Sequence, residues 1–365
     1  MRQLNGDRGI IAVLTALAGS AVLFFCAAIA IDIAALYSER RQLQNGADAA
    51  AVAIAQSCVR GLNGTSPTGP CRTALADLAG ANALDGRADA VVCGTAPGLG
   101  SCPAPVTGSR ASCDGPPAGS PPYVEVHTST RTTGGTLVAP FFARALPGMA
   151  DYDGVGLGAC ARSGYGSPST AVSVLPVTVS QCVVGDYRTR LGGFAPLSLL
   201  DAGAAALRPW EIQIELHQDS GPCTTNSSGQ TASGNFGFIT PDTACSVTTV
   251  VGSSLQGKTG NSPPSGCTTS YMTARLAKVA YIPVFSTVAG SGSSVTYIVG
   301  YAAFYFTGWQ LPGTSHNSIL SGQPPCKKPT TCVAGVFVNG LSPTPGPISA
   351  TSPQPSSLNT VQLLG

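Results

Sequence analysis

The residues with the most obvious chemical potential in this chain are its 13 cysteines. Cys26 lies inside an apolar stretch near the N-terminus, and the other twelve are Cys58, Cys71, Cys93, Cys102, Cys113, Cys160, Cys182, Cys223, Cys245, Cys267, Cys326 and Cys332. An even set of this kind points to six disulfides formed in an oxidising compartment. Metal ligation fits less well. No two cysteines have C-x-x-C spacing, and the three histidines (His127, His217, His316) are far apart, so zinc-ribbon and zinc-finger patterns are absent. Sequence does not determine the pairing; Cys58–Cys71 and Cys326–Cys332 are local candidates.

Acid–base and nucleophilic chemistry has weaker support. The chain contains no G-x-S-x-G elbow, no H-E-x-x-H and no phosphate-loop pattern. His127 and His217 fall in β-prone stretches, where a solvent-facing side chain is the default. Glu211 and Glu215 alternate with Ile212 and Ile214, which places them on one polar face of a strand. Asp151 and Asp153 flank Tyr152 in a turn. No catalytic residue, metal or cofactor is assigned. Basic and acidic residues nearly balance, 19 against 17, so nucleic-acid binding has no electrostatic basis.

The elements that must position these residues begin with residues 9–31, which carry no charge. As a helix this run spans ~34 Å, enough for a bilayer core, with Ile10, Leu14, Leu17, Phe24 and Ile31 as anchoring side chains. A cleaved signal with Ala28-Ile29-Ala30 as its small-x-small site is the competing reading, but the run exceeds the ~7–15 residues of a signal core. A lipoprotein signal at Cys26 is disfavoured because Phe25 stands where a small residue is needed. Basic residues flank both ends, Arg2 and Arg8 against Arg40 and Arg41, and give no orientation. The cysteines place the C-terminal side outside. Asp32 marks the outer end of the span.

Nothing stops the helix there. Leu36, Leu43, Ala47, Ala50 and Ile54 recur at helical spacing, Gly46 is a mild weak point, and proline is absent until Pro67. The apolar stripe can pack on the chain's own domain. Its small residues, Ala12, Ala16, Ser20, Ala47, Ala51 and Ala55, would equally permit close approach of neighbouring helices.

Gly6-Asp7-Arg8-Gly9, the apolar run, and then Asp32, Leu36-Tyr37, Arg41, Leu43-Gln44-Asn45 and Ala47-Asp48-Ala49-Ala50-Ala51 resemble the TadE/TadG-like family of Flp (Tad) pilus-assembly proteins. The resemblance covers the first ~55 residues. A weaker likeness continues through residues 124–128, Phe141-Phe142-Ala143-Arg144 and residues 155–162. It implies a membrane-anchored, non-enzymatic pilus component whose Asp32, Tyr37, Arg41, Leu43, Gln44, Asn45, Ala47 and Asp48 form a helix interface. The implied partners are the membrane and other pilin-like or pilus-assembly proteins, in homo- or hetero-oligomers through the N-terminal helix. Two family features are missing. No D-x-S-x-S metal motif is present, and the glutamate that follows a prepilin processing glycine is replaced by Leu14 after Gly9 and by Ile11 after Gly6.

The expected fold is α+β, with a long N-terminal helix, a small α+β unit and a β-rich disulfide-bonded domain. The divisions are a cytoplasmic residues 1–9, a transmembrane and pilin-like helix at 10–58, the α+β unit at 59–165, the β-rich unit at 166–340 and a Pro/Ser-rich tail at 341–365. Residues 95–122 read as a loop held down by disulfides, residues 164–169 as a hinge, and residues 141–146 as a short helix. Residues 297–306, dense in aromatics, read as a core strand. The rival functions are a surface-anchored binding or adhesion module and an anchored hydrolase.

Overall fold

The computed structural model describes residues 4–63, 71–96, 98–106, 109, 111–116, 119–131, 137–145, 148–215, 236–258, 262–289, 295–342, 347–349 and 356–364. It opens with one helix, α1 (Leu4–Asn63), of 60 residues, or ~90 Å of rod. A second short helix, α2 (Leu78–Ala81), returns beside it, and the third is α3 (Gln181–Leu191). The strands in chain order are β1 (Ala88–Gly94), β2 (Tyr123–Thr130), β3 (Gly158–Gly166), β4 (Thr170–Ser173), β5 (Val177–Ser180), β6 (Ile212–Glu215), β7 (Phe236–Phe238) and β8 (Val247–Val250). They continue with β9 (Ser254–Gln256), β10 (Val279–Ala289), β11 (Val295–Leu311), β12 (Thr314–His316), β13 (Cys332–Val338), β14 (Gly340–Leu341) and β15 (Leu358–Leu364). The architecture is mixed α+β, a long apolar helix followed by a β-rich region with several disulfides.

The two halves of α1 have opposite fates. Ile10, Leu14, Leu17, Phe24 and Ile31 are exposed, Phe24 to 76%. From Leu43 onward one stripe is sealed: Leu43, Ala47, Ala50, Ala51, Ile54, Ala55, Cys58 and Val59 are at most 1% exposed. These residues lie on a sheet of order β1-β2-β3-β15-β14. Strand alternation presents Val124, Val126, Ala161 and Tyr165 to the helix, and Thr128 Oγ1 donates to the Leu43 carbonyl at 3.0 Å. Alanines at the contact let the helix lie close to the pleat. Gly46 serves the same end. A Cβ there would come within 2.9 Å of the Ala79 carbonyl oxygen, so α2 docks where a weak point was expected. Burial pushes the Tyr165 phenol up to about 12.

The second sheet runs β6-β13-β11-β10-β5-β7, with β9 and β12 also paired to β11. Its central strand is β11, which covers residues 297–306 as expected. The core is aromatic: Phe304, Phe306, Trp309 and Phe337 are at most 1% exposed. The Phe306 and Trp309 rings stack at 5.5 Å, and Tyr187 meets Phe337 edge-on at 5.0 Å. α3 brings Val183, Val184 and Tyr187 into that core. Ser180 caps its start by accepting from the Cys182 N–H at 3.1 Å. Gly192, at φ +71°, ends it in the left-handed region.

Three expectations are corrected. Residues 164–169 are not a hinge. β3 runs on through Gly166, with Gly164 opposite both Tyr123 and Gln362. Gly164 is small for a packing reason, because a Cβ there would lie 2.8 Å from Leu364 Cδ1. The stretch 341–365 also does not end as a tail. β15 pairs antiparallel with β3 and parallel with β14, which directly follows β13 of the second sheet. Ser357 Oγ accepts from the Ala303 N–H at 2.8 Å, and Ser356 Oγ donates to the Tyr301 carbonyl at 2.7 Å. Leu358 is fully buried among Tyr301, Ala303, Val336 and Val338. One strand thus packs on the helix-side core through Val361 and on the cluster around Tyr301 through Leu358. The expected helix at 141–146 contracts to a single 3₁₀ turn, Ala143–Ala145.

Leu358→Ala is therefore predicted to cost ~2–5 kcal/mol, read as a lower denaturant midpoint in the oxidised protein. An unchanged midpoint would mean that β15 docks without sharing either core.

Candidate membrane-proximal site

α1 is long and apolar enough to cross a membrane by length and composition, and its most apolar stretch has mean hydropathy 2.4 with none of it buried in the fold. The first carboxylate after that stretch, Asp32, has a defined partner. Its Oδ1 accepts from the Phe141 N–H at 2.8 Å and its Oδ2 from the Ala143 N–H at 2.7 Å, while the Phe142 N–H lies 3.2 Å from both oxygens. Hydrogen bonds to a charged acceptor are the stronger kind. They pin the connection between β2 and β3 to the helix. That connection is held in shape by reciprocal backbone bonds between Val138 and Val155 at 3.0 and 3.3 Å, and by Arg144, which donates to the Tyr152 carbonyl at 3.0 Å and to Asp153 at 2.9 Å. Gly154 takes φ +114°, and a Cβ there would overlap the Val138 carbonyl oxygen. Asp32 was expected to mark the end of the span and to belong to a helix interface; the loop it holds lies 109 residues further on.

The residues expected to form a helix interface divide between two faces. Leu43 and Ala47 are buried against the chain's own sheet. Gln44 donates to Asp48 at 2.9 Å and to the Cys160 carbonyl at 3.1 Å, so both serve the intramolecular contact. Tyr37, Arg41 and Asn45 are exposed, and their spacing of four puts them on one outward stripe.

The sheet face away from α1 carries a buried polar network that sequence reasoning missed. Glu125 and Arg162 sit opposite one another on β2 and β3 and are 2% and 3% exposed. Arg162 bonds Glu125 Oε2 through Nε at 2.8 Å and Nη2 at 2.6 Å, and Nη2 also reaches the Asp114 carbonyl. Its guanidinium lies over the Tyr123 ring at 5.0 Å. His127 Nε2 is 2.8 Å from Glu125 Oε1, and its Nδ1 is 3.2 Å from the Ala111 carbonyl. Glu125 alternating with Val124 and Val126 was the available signal, but nothing local revealed that a loop would cover this face.

That loop is stapled by Cys93–Cys102 and Cys113–Cys160. Their sulfurs lie close to Glu125 in an arrangement that resembles a metal cluster. As disulfides they have no thiolate to offer a cation, so they act as covalent clamps. Cys58–Cys71 ties the end of α1 to the returning chain, and Cys245–Cys267 and Cys326–Cys332 close loops of the second sheet. Cys58–Cys71 and Cys326–Cys332 agree with the local candidates. Cys182 is disulfide-bonded; Cys223 and His217 lie outside the described residues. Cys26 is free. The other candidates for chemistry have structural partners. Glu211 accepts from the hydroxyls of Thr307 and Ser318, Glu215 lies opposite Cys332 in the sheet, and His316 rests 5.3 Å from the Trp309 ring.

A bare apolar helix that continues into a sheet-packed half invites comparison with known anchors. Residues 9–57 match the family model of putative Flp pilus-assembly TadE/G-like proteins. No curated protein and no solved structure matches the chain. The matched segment takes in the bare apolar run, Asp32 and the helix stripe as far as Ser57, so it spans both halves of α1. The sheets and every described disulfide lie beyond it.

Two substitutions test this site. Asp32→Ala removes the acceptor for three backbone N–H groups and is expected to speed deuterium exchange at Phe141, Phe142 and Ala143 while leaving the β2 and β3 amides unchanged; unaltered exchange would show that the loop is held by other contacts. Arg162→Met strands the buried Glu125 carboxylate and is predicted to destabilise the fold by ~3–5 kcal/mol in equilibrium denaturation. A loss below ~1 kcal/mol would mean that His127 alone suffices for Glu125, since a single hydrogen bond is worth about that much.

Proposed function

We propose that the chain is a single-pass, membrane-anchored structural component of a Flp (Tad) type pilus-assembly machine. The first residues lie in the cytoplasm, and the disulfide-bonded β-rich region lies on the extracytoplasmic side. The observation that carries this reading is the match of residues 9–57 to the pilus-assembly family together with the physical state of the same segment. One half of the helix is apolar and uncovered, and the other half is sealed into a disulfide-bonded fold. A bare apolar helix surface is stable in lipid and costly in water. Disulfides form and persist outside the reducing cytosol, which supports this orientation.

The role is mechanical rather than catalytic. α1 holds the protein in the bilayer and transmits position to the ectodomain as one uninterrupted rod. Tyr37, Arg41 and Asn45 form the outward face on which other pilin-like helices pack, in homo- or hetero-oligomers. Leu43, Gln44, Ala47 and Asp48 give that packing a rigid back by fixing the helix to its own sheet.

The test is membrane fractionation with N-terminal sequencing of the native protein, in cells with and without the pilus machine. The expected result is a full-length chain in the membrane fraction that alkaline carbonate does not release. Replacing both Leu14 and Leu17 with arginine is expected to abolish that retention, since a charge at the centre of a span costs ~2.5–3.5 kcal/mol per residue. Wild-type protein in the soluble fraction, cut near Ile31, would refute the anchor.

A further inference from the structure

Beside the end of the bare helix lies an apolar surface that the anchor alone does not explain. In the connection between β2 and β3, Leu137, Phe141, Phe142, Met149 and Tyr152 are exposed, Phe141 to 72%. Two adjacent exposed phenylalanines in a loop with this much internal bonding are unusual for a surface facing water. Between this loop and α1 runs a groove of about 260 Å³ lined chiefly by Ile29, Ile33, Leu36, Pro140, Met149 and Tyr152. The groove reaches down the helix past Asp32 to Ile29, which lies inside the uncharged run.

The level of this surface is set by Asp32. Its carboxylate binds the backbone of Phe141, Phe142 and Ala143, and Asp32 is the residue at which the uncharged run ends. The two phenyl rings are therefore tied to the helix at the depth where hydrocarbon gives way to headgroups. Arg144, two residues after Phe142, is paired to Asp153 at 2.9 Å. Tyr37, also exposed, stands just over one turn above Asp32. Aromatic side chains and an apolar face backed by charge are what the interface of a bilayer accommodates.

We propose that Phe141 and Phe142, with Leu137, Met149 and Tyr152 around them, form a second membrane contact: a foot that inserts into the lipid headgroup–acyl boundary beside α1. The occupant of the groove is lipid, because the groove is continuous with the lipid-facing surface of the helix. The proposal rests on the membrane-anchor reading and goes beyond it. A lone helix can tilt and rotate in a bilayer, whereas a helix and a foot together fix the ectodomain at one height and one rotation. A fixed rotation would also hold the Tyr37, Arg41 and Asn45 stripe toward a neighbouring helix.

The experiment uses the full chain reconstituted in phosphatidylcholine–phosphatidylglycerol vesicles whose acyl chains carry bromine at defined depths. Phe141→Trp and Phe142→Trp are compared with the parent protein, whose Trp210 and Trp309 supply the background. Leu14→Trp reports the span, and Leu84→Trp, at an exposed position near α2, reports the aqueous side. The expected result is loss of Phe141→Trp emission with bromines high on the acyl chains and little loss with iodide in the water. Adding Asp32→Ala is expected to reduce the lipid quenching. Quenching by iodide and not by lipid would overturn the foot, and so would protection from both quenchers, which would place a second copy or another protein on this surface. In either case quenching of Leu14→Trp by deep bromines would leave the anchor intact; its absence would overturn the anchor itself.

Discussion

The structure depends on one unbroken helix whose two halves require different surroundings. Nothing in the described chain covers the half that carries Ile10, Leu14, Leu17 and Phe24. In the other half, one stripe from Leu43 to Val59 is as tightly covered as a protein core. Both halves share one hydrogen-bonded rod with no proline to break it. Whatever surrounds the first half therefore sets the position of the second, and of the sheet packed on it. In lipid the bare half needs no further cover; in water it would have to find a partner or aggregate.

The remainder of the molecule is arranged so that the rod carries all of it. The first sheet grips α1 through small residues on one face. On its other face it buries Glu125 and Arg162, with His127 partly covered beside them, under a loop held by two disulfides. A buried ion pair of this kind adds little net stability, but each member is costly to leave alone, so it locks the loop's position on the sheet. The second sheet joins through β15, which hydrogen-bonds to β3 and β14 and places Leu358 in the core around Tyr301. The last strand of the chain thus ties the cluster around Tyr301 on the second sheet to the sheet that holds the helix. Asp32 adds a tie at the opposite end, where the uncharged run ends.

Much of this was legible in the sequence because it follows local rules. The uncharged run, the alanine-rich continuation without proline, the alternation in β2 and the aromatic density of β11 are all signals carried within a few residues. The same holds for two local disulfides, Cys58–Cys71 and Cys326–Cys332. What was not legible is non-local. α3 hides in residues 181–191, where polar residues and Gly185 dilute the helical period, and only its Ser180 cap and Gly192 exit mark it. β15 follows a Pro/Ser-rich stretch whose composition suggested a tail, and its strand character emerges only once β3 offers an edge. Gly46 was read as a weak point and Gly164 as part of a hinge, whereas each is small because another segment approaches closely. The Asp32 site joins residues more than a hundred positions apart, so neither end announces the other.

The most direct test of the account is protease shaving of intact spheroplasts that carry the chain with a tag at each end. The account predicts that external protease removes the C-terminal tag and, once disulfides are reduced, digests the β-rich region, while the N-terminal tag survives on a short membrane-bound fragment until the cells are lysed. A C-terminal tag that stays protected until lysis would put the disulfide-bonded region inside the cell and contradict the orientation on which the proposed role rests.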